Sequence, residues 1–182
     1  MKMSKTMIMA VMALGSASFA QAEEPSNGTI EFTGTIIDTP CSIAADSINQ
    51  TIPLGAISSA ALKNGGTSTP IDFNIRLEQC DFTGDNAKNK VTTTFTGIPI
   101  TGTDLLAINS NTASGAGVAI STFNGEKIKL GVPTTAVTLI GSDPVLQFQA
   151  YLQGQSASEK APAPDIIPGK FSAIANFRLD YF

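Results

Sequence analysis

An all-β domain folded as a two-sheet sandwich is the architecture this sequence predicts. Three observations carry it. Apolar residues recur at period two in one run after another, bounded by Gly, Pro, Asn and Asp. Only 14% of residues are charged, while Gly, Thr, Ser, Ile and Val are plentiful, a mixture that favours strands and turns over helices. Two cysteines and no Trp complete the picture. A sandwich with one cross-link fits, without the core Trp of antibody-type domains, so the sandwich is immunoglobulin-like rather than an antibody domain.

The first element is an address rather than a structural segment. Lys2 and Lys5 form a positive stretch, Met7 to Leu14 an apolar one, and small residues lead to Ala20-Gln21-Ala22, an A-x-A cleavage pattern. The apolar run falls well short of the ~20 residues of a membrane span. A buried N-terminal helix is the competing reading. Residues 1–22 are therefore expected to be a signal peptide, and the chain to be exported. Cleavage leaves residues 23–182, or 182 − 22 = 160 residues, which suits one domain with a full core. The remaining chain carries nine basic and fifteen acidic residues, 9 − 15 = −6. Such a balance offers no footprint for nucleic acid and no basic cluster for anionic lipid.

The strands follow in order. Ile30, Phe32, Gly34 and Ile36 share one face near the mature N-terminus, with Thr29, Glu31, Thr33 and Thr35 on the other. Ala56 to Leu62 reads as a single turn or a short helix, stopped by Asn64-Gly65-Gly66. The cleanest strand runs from Ile71 to Glu78, with Ile71, Phe73, Ile75 and Leu77 on one side. Cys80 falls out of step with that alternation, which predicts a bulge or a strand end. Val91, Thr93 and Phe95 make the next run. Val118 and Ile120 precede Asn124-Gly125, a two-residue hairpin signal, and Ile128 and Leu130 follow it. Leu146, Phe148, Ala150 and Leu152 alternate again. Gln153 to Gly169 is rich in Ser, Ala and Pro and reads as a loop. The last strand spans Phe171 to Tyr181.

Cys41 and Cys80 are an even pair on an oxidising route, so one disulfide is the default, against two free buried thiols. Closing a loop of about forty residues stabilises a fold by roughly 4 kcal/mol on the chain-entropy estimate. A metal site is disfavoured, because the sequence has no His and no C-x-x-C pair. Catalysis is poorly supported for the same reason: no Ser-His-Asp or Cys-His arrangement can be built. The acidic residues lie scattered on polar strand faces and loops, and no phosphate-binding glycine loop is present. The chain is expected not to be an enzyme and to need no cofactor. Asn27-Gly28-Thr29 and Asn49-Gln50-Thr51 fit a glycosylation pattern that arises often by chance.

The two ends carry the functional signal. A glycine inside an apolar strand face marks a bulge or a close backbone approach, and Gly34 is such a residue. A chain that places Leu179, Tyr181 and Phe182 at its terminus is docking that terminus. Three stretches, Gly28 to Ile43, Pro70 to Cys80 and Phe171 to Tyr181, resemble the major pilins of chaperone–usher fimbriae, including P-type and type 1. So do Leu54-Gly55 and the pairing of Gly169, fourteenth from the end, with the penultimate Tyr181.

That resemblance implies an immunoglobulin-like sandwich lacking its last strand, preceded by an N-terminal donor-strand extension. Residues 23–37 would be that extension and residues 38–182 the sandwich. Ile30, Phe32, Gly34 and Ile36 would enter a neighbour's groove. Gly169, Phe171, Ala173, Ala175, Phe177, Leu179, Tyr181 and Phe182 would form the acceptor groove and the chaperone contact. The implied partners are neighbouring copies in a homopolymer, a periplasmic chaperone and an outer-membrane usher, and the implied destination is a fimbria on the bacterial surface that supports cell adhesion. The alternative is a minor adaptor, or a tip adhesin binding a host glycan. Such adhesins carry a lectin domain ahead of the pilin domain and lack a donor extension, so length and the N-terminal alternation favour the fibre subunit.

Overall fold

The computed structural model describes residues 27–84, 87–157 and 162–182. The expected signal peptide, residues 1–22, and residues 23–26 of the extension lie outside the described residues. The chain divides into two units between Ile36 and Ile37. In the first, residues 27–36 form neither strand nor helix. The period-two run at Thr29–Ile36 is thus not a strand in the single chain, since an extended segment becomes one only by pairing.

The second unit is a sandwich of two antiparallel sheets. One has the order β1 (Ser42–Ile43), β2 (Ile71–Glu78), β7 (Val145–Gly154), β5 (Ala116–Thr122), β4 (Leu106–Ala107). The other has the order β6 (Val137–Thr138), β3 (Lys90–Gly97), β8 (Ala175–Tyr181). The alternation read from the sequence sets which faces meet. Ile75 and Leu77 of β2, Leu146, Phe148 and Leu152 of β7, and Val91 and Phe95 of β3 are all buried. Four aromatic rings bridge the sheets: Phe95 meets Phe148 edge-on at 5.0 Å between centroids, and Phe73 and Phe177 lie at 6.2 and 6.5 Å from Phe95. Offset and edge contacts of this kind suit the ring quadrupole.

Cys41 and Cys80 are joined as a disulfide with Cα atoms 4.1 Å apart, tying the start of β1 to the end of β2. The out-of-step Cys80 has a local cause. The strand ends at Glu78, and Gln79 takes a left-handed conformation with φ of 54°, rotating Cys80 toward Cys41. A short helix, α1 (Ala45–Ile48), follows β1, and its residues blunt the free edge of β2. Ser47 Oγ accepts the Arg76 N–H at 3.0 Å, and Gln50 Nε2 donates to the Asn74 carbonyl at 2.8 Å. Arg76 also pairs with Asp46 at 2.9 Å across exposed surface. Edge strands left unpaired recruit other chains, and this one is closed by side chains instead.

The turn expected around Ala56–Leu62 is a 3₁₀ segment, Ser59–Gly65, with Ser58 accepting the Ala60 N–H. It ends where Asn64 and Gly65 adopt positive φ. The expected two-residue hairpin at Asn124-Gly125 is a three-residue loop instead. Thr122 N–H donates to the Glu126 carbonyl, Ser121 bridges Lys127, and Gly125 sits at φ 83°. A three-residue loop with its last residue left-handed matches the strand twist as well. Ile128 is buried as its apolar character predicts, although it belongs to no named strand.

Candidate apolar groove and its open strand edge

The functional geometry begins with β8. Its residues pair with β3 from Val91↔Tyr181 to Gly97↔Ala175. Lys90 and Phe182 exchange both backbone hydrogen bonds, at 3.2 and 3.0 Å. In an antiparallel ladder such doubly bonded pairs recur at every second residue. Asp180, Arg178 and Asn176 therefore turn their N–H groups toward β3, while Phe177, Leu179 and Tyr181 turn theirs to the opposite edge. Among the described residues no strand pairs with that edge.

Beside the open edge lies an elongated groove of about 1120 Å³. Its floor is the core itself: Phe73, Ile75, Phe95, Val118 and Ile120 from the two sheets. One wall is Gly169 to Phe177, leading into β8; the other is Thr51 to Gly55, with Ile52 and Leu54. Lys170 is the one charged residue among the described lining, so the groove suits an apolar occupant. Its length suits an extended one, because the seven residues from Phe171 to Phe177 span roughly 23 Å as a strand.

The residues singled out in the sequence are placed as follows. Gly169, Phe171, Ala173, Ala175 and Phe177 line the groove. Leu179 and Tyr181 lie farther along β8, packed half-buried against the core. Phe182 is 55% exposed at the end of the ladder. Gly169 has a specific steric role: a Cβ there would collide with the Thr112 side chain and the Ala113 backbone. That close approach lets the wall run alongside residues 109–114, where Asn109 pairs with Ser172 and Ser114 with Ile167. The Tyr181 hydroxyl is buried without a hydrogen-bond partner among the described residues, and burial pushes its pKa above 10.0. Sequence reading missed the second wall: Leu54-Gly55 stood out only as part of the family resemblance. Residues 51–57 form no regular element, so no periodicity marks them.

In the other unit, Ile30, Phe32 and Ile36 are 77%, 89% and 102% exposed. Nothing lies within 4 Å of the place a Cβ would take on Gly34.

A family model described as fimbrial protein matches residues 30–182. The chain belongs to the fimbrial protein family. It is 46% identical over 182 residues to the fimbria A protein of Serratia marcescens, covering 100% of this chain and 99% of that one. It is equally 46% identical over 184 residues to the major MR/P fimbria protein of Proteus mirabilis strain HI4320, with 100% and 99% covered. A solved structure of a chaperone-usher pilus, studied for the uncoiling of its rod, superposes with a TM-score of 0.73 at 34% identity. It covers 90% of this chain and 100% of that one. The fimbrial fold explains the sandwich, and the family fixes the role: this is a structural subunit of a bacterial fimbria, built into a polymer at the cell surface.

Proposed function

We propose that the subunit polymerises by donating residues 23–37 to the groove of a neighbouring copy. One observation carries the reading: an unpaired β8 edge borders an open apolar groove in a chain whose own apolar alternation, Ile30 to Ile36, is solvent-exposed. Strand addition satisfies both at once. Backbone groups of the donor pair with the N–H groups of Phe177, Leu179 and Tyr181, while Ile30, Phe32 and Ile36 enter the groove and Gly34 passes a shallow point. Complementation of pilins by a donor strand is a recognised form of β-strand addition. Each buried Ile or Phe side chain contributes about 1.5–3 kcal/mol before ordering costs.

The same groove makes a free subunit hazardous, because it combines exposed apolar surface with an open edge. On this reading a periplasmic chaperone holds the groove along Gly169 to Tyr181 and the carboxylate of Phe182 after the signal peptide, residues 1–22, is removed. An outer-membrane usher then exchanges chaperone for donor strand. The chaperone-usher pilus that superposes on this chain supports that route. The name of the Proteus relative, a major fimbria protein, supports a shaft subunit over a minor one.

The test is to release the subunit from its chaperone and add a synthetic peptide of residues 23–38. A heat-stable complex is expected, and a peptide carrying Gly34→Phe should form it at least tenfold more slowly. Equal complex formation by both peptides would dismiss the assignment of Gly34.

A further inference from the structure

Only residues 37–40 separate Ile36, the last residue of the donor face, from Cys41, which the disulfide fixes at the end of β2. Fully extended, the chain from Ile36 to Cys41 spans at most about 18 Å. On the donor-strand reading, on which this inference rests, Ile36 of one subunit lies in the groove of the next. The disulfide end of the donor's sandwich is thereby held within that reach of the acceptor's groove. A tether that short keeps the two sandwiches close enough to meet, and the exposed apolar residues offer the surfaces for it.

Orientation follows from the ladder. Every strand pairing among the described residues is antiparallel, and the antiparallel arrangement is the more stable per residue. A donor antiparallel to β8 brings Ile36, near its C-terminal end, to the start of β8. There the outer face of the sheet changes character. Thr96, Asn176 and Arg178 are polar and exposed along it, yet Ile98 and Ile174, one rung beyond the Gly97↔Ala175 pair, are 77% and 74% exposed. Ile174 also borders the groove, so this apolar pair continues directly from the donor's path.

The disulfide end has a counterpart. Cys80 donates its N–H to the Ser142 carbonyl, and Leu139 donates to Asn89 just before β3. Between those anchors Leu139 is buried in the core and Ile140 is 83% exposed. Ile140 and the Ile98–Ile174 pair therefore sit at opposite ends of β3, an eight-residue strand about 26 Å long. They cannot meet within one copy. Between successive copies they are brought together by the tether, and a head-to-tail contact between different patches propagates rather than closes.

We propose that Ile140 of each subunit packs on Ile98 and Ile174 of the copy that receives its donor strand, a second contact that fixes the angle between successive sandwiches. Both native cysteines are engaged in the disulfide, so introduced thiols report proximity cleanly. Dimers are assembled from a donor carrying Ile140→Cys and an acceptor carrying Ile174→Cys or Ile98→Cys, then mildly oxidised. A covalent dimer surviving denaturation without reductant is expected from at least one pair, and none from an acceptor carrying Asn74→Cys on the opposite sheet. Dimers that form at normal yield yet link in neither pair overturn the proposal while leaving the donor strand intact. Failure of any dimer to form would instead remove the donor-strand reading on which it stands. As a second measurement, Ile140→Glu should leave the melting temperature of the 23–38 peptide complex unchanged but raise the radius of gyration of the dimer in solution scattering. Unchanged scattering overturns the proposal. A loss of chaperone complex with Ile140→Glu, with neither thiol pair linking, would assign Ile140 to the chaperone and overturn it as well.

Discussion

At Gly169 a hydrogen atom stands where any larger group would strike Thr112 and the Ala113 backbone. Overpacking at a site bounded by backbone costs about 1–3 kcal/mol, because neither wall can move independently. Gly169→Ala is therefore expected to lower the unfolding free energy of the peptide-filled domain by an amount in that range, read by urea titration. Tyr181 offers a pH dependence. Burial raises its folded pKa above 10.0, so the unfolded chain releases that proton first. The stability it contributes is complete below that ordinary value and is lost as pH climbs through the higher folded one. Tyr181→Phe should flatten the alkaline fall in melting temperature, measured between neutral pH and the alkaline limit of the domain. Both residues stood out in the sequence by their distance from the C-terminus and not by their contacts. Thr112, Gly169's partner in space, lies 57 positions earlier (169 − 112 = 57), which no local pattern could reveal. Cys80 was the opposite case: its broken alternation pointed to the backbone turn that Gln79 supplies with φ 54°.

Among the elements, α1 has a function out of proportion to its four residues. Its Ser47 accepts the Arg76 N–H on the free edge of β2, and Gln50 just beyond caps Asn74. Removing one such partner from a part-buried donor costs about 1–3 kcal/mol. Ser47→Ala should destabilise the domain by that amount and make the Arg76 amide exchange faster, a change visible by hydrogen exchange at that position. The long strands were legible because their apolar residues share one face, buried in β2, β3 and β7 and half-buried in β8, so composition follows period two. The two-residue strands β1, β4 and β6 were not, since two residues carry no period. The alternation at Ile30–Ile36 was legible and yet forms no strand here, because no other strand pairs with it among the described residues.

For the whole molecule, the consequence is a sandwich whose second sheet ends on β8, a strand paired along one edge only among the described residues. A complete sandwich would leave Phe177 and Leu179 covered, and here both are half-exposed beside the groove. The alternating sequence of β8 is that of a strand covered on its inner face, and on the proposed donor-strand reading another chain completes that cover. The fimbrial family and the full-length relatives agree with a chain made to polymerise. The donor strand is the account's central claim, and the backbone of β8 tests it most directly. Site-resolved hydrogen exchange is measured on the dilute domain before and after adding the residue 23–38 peptide. The amides of Phe177, Leu179 and Tyr181, which face the open edge, are expected to slow by at least a hundredfold on peptide addition, while those of Asn176, Arg178 and Asp180 are already protected by β3. Unchanged exchange at the three edge amides, with peptide bound, would contradict the account.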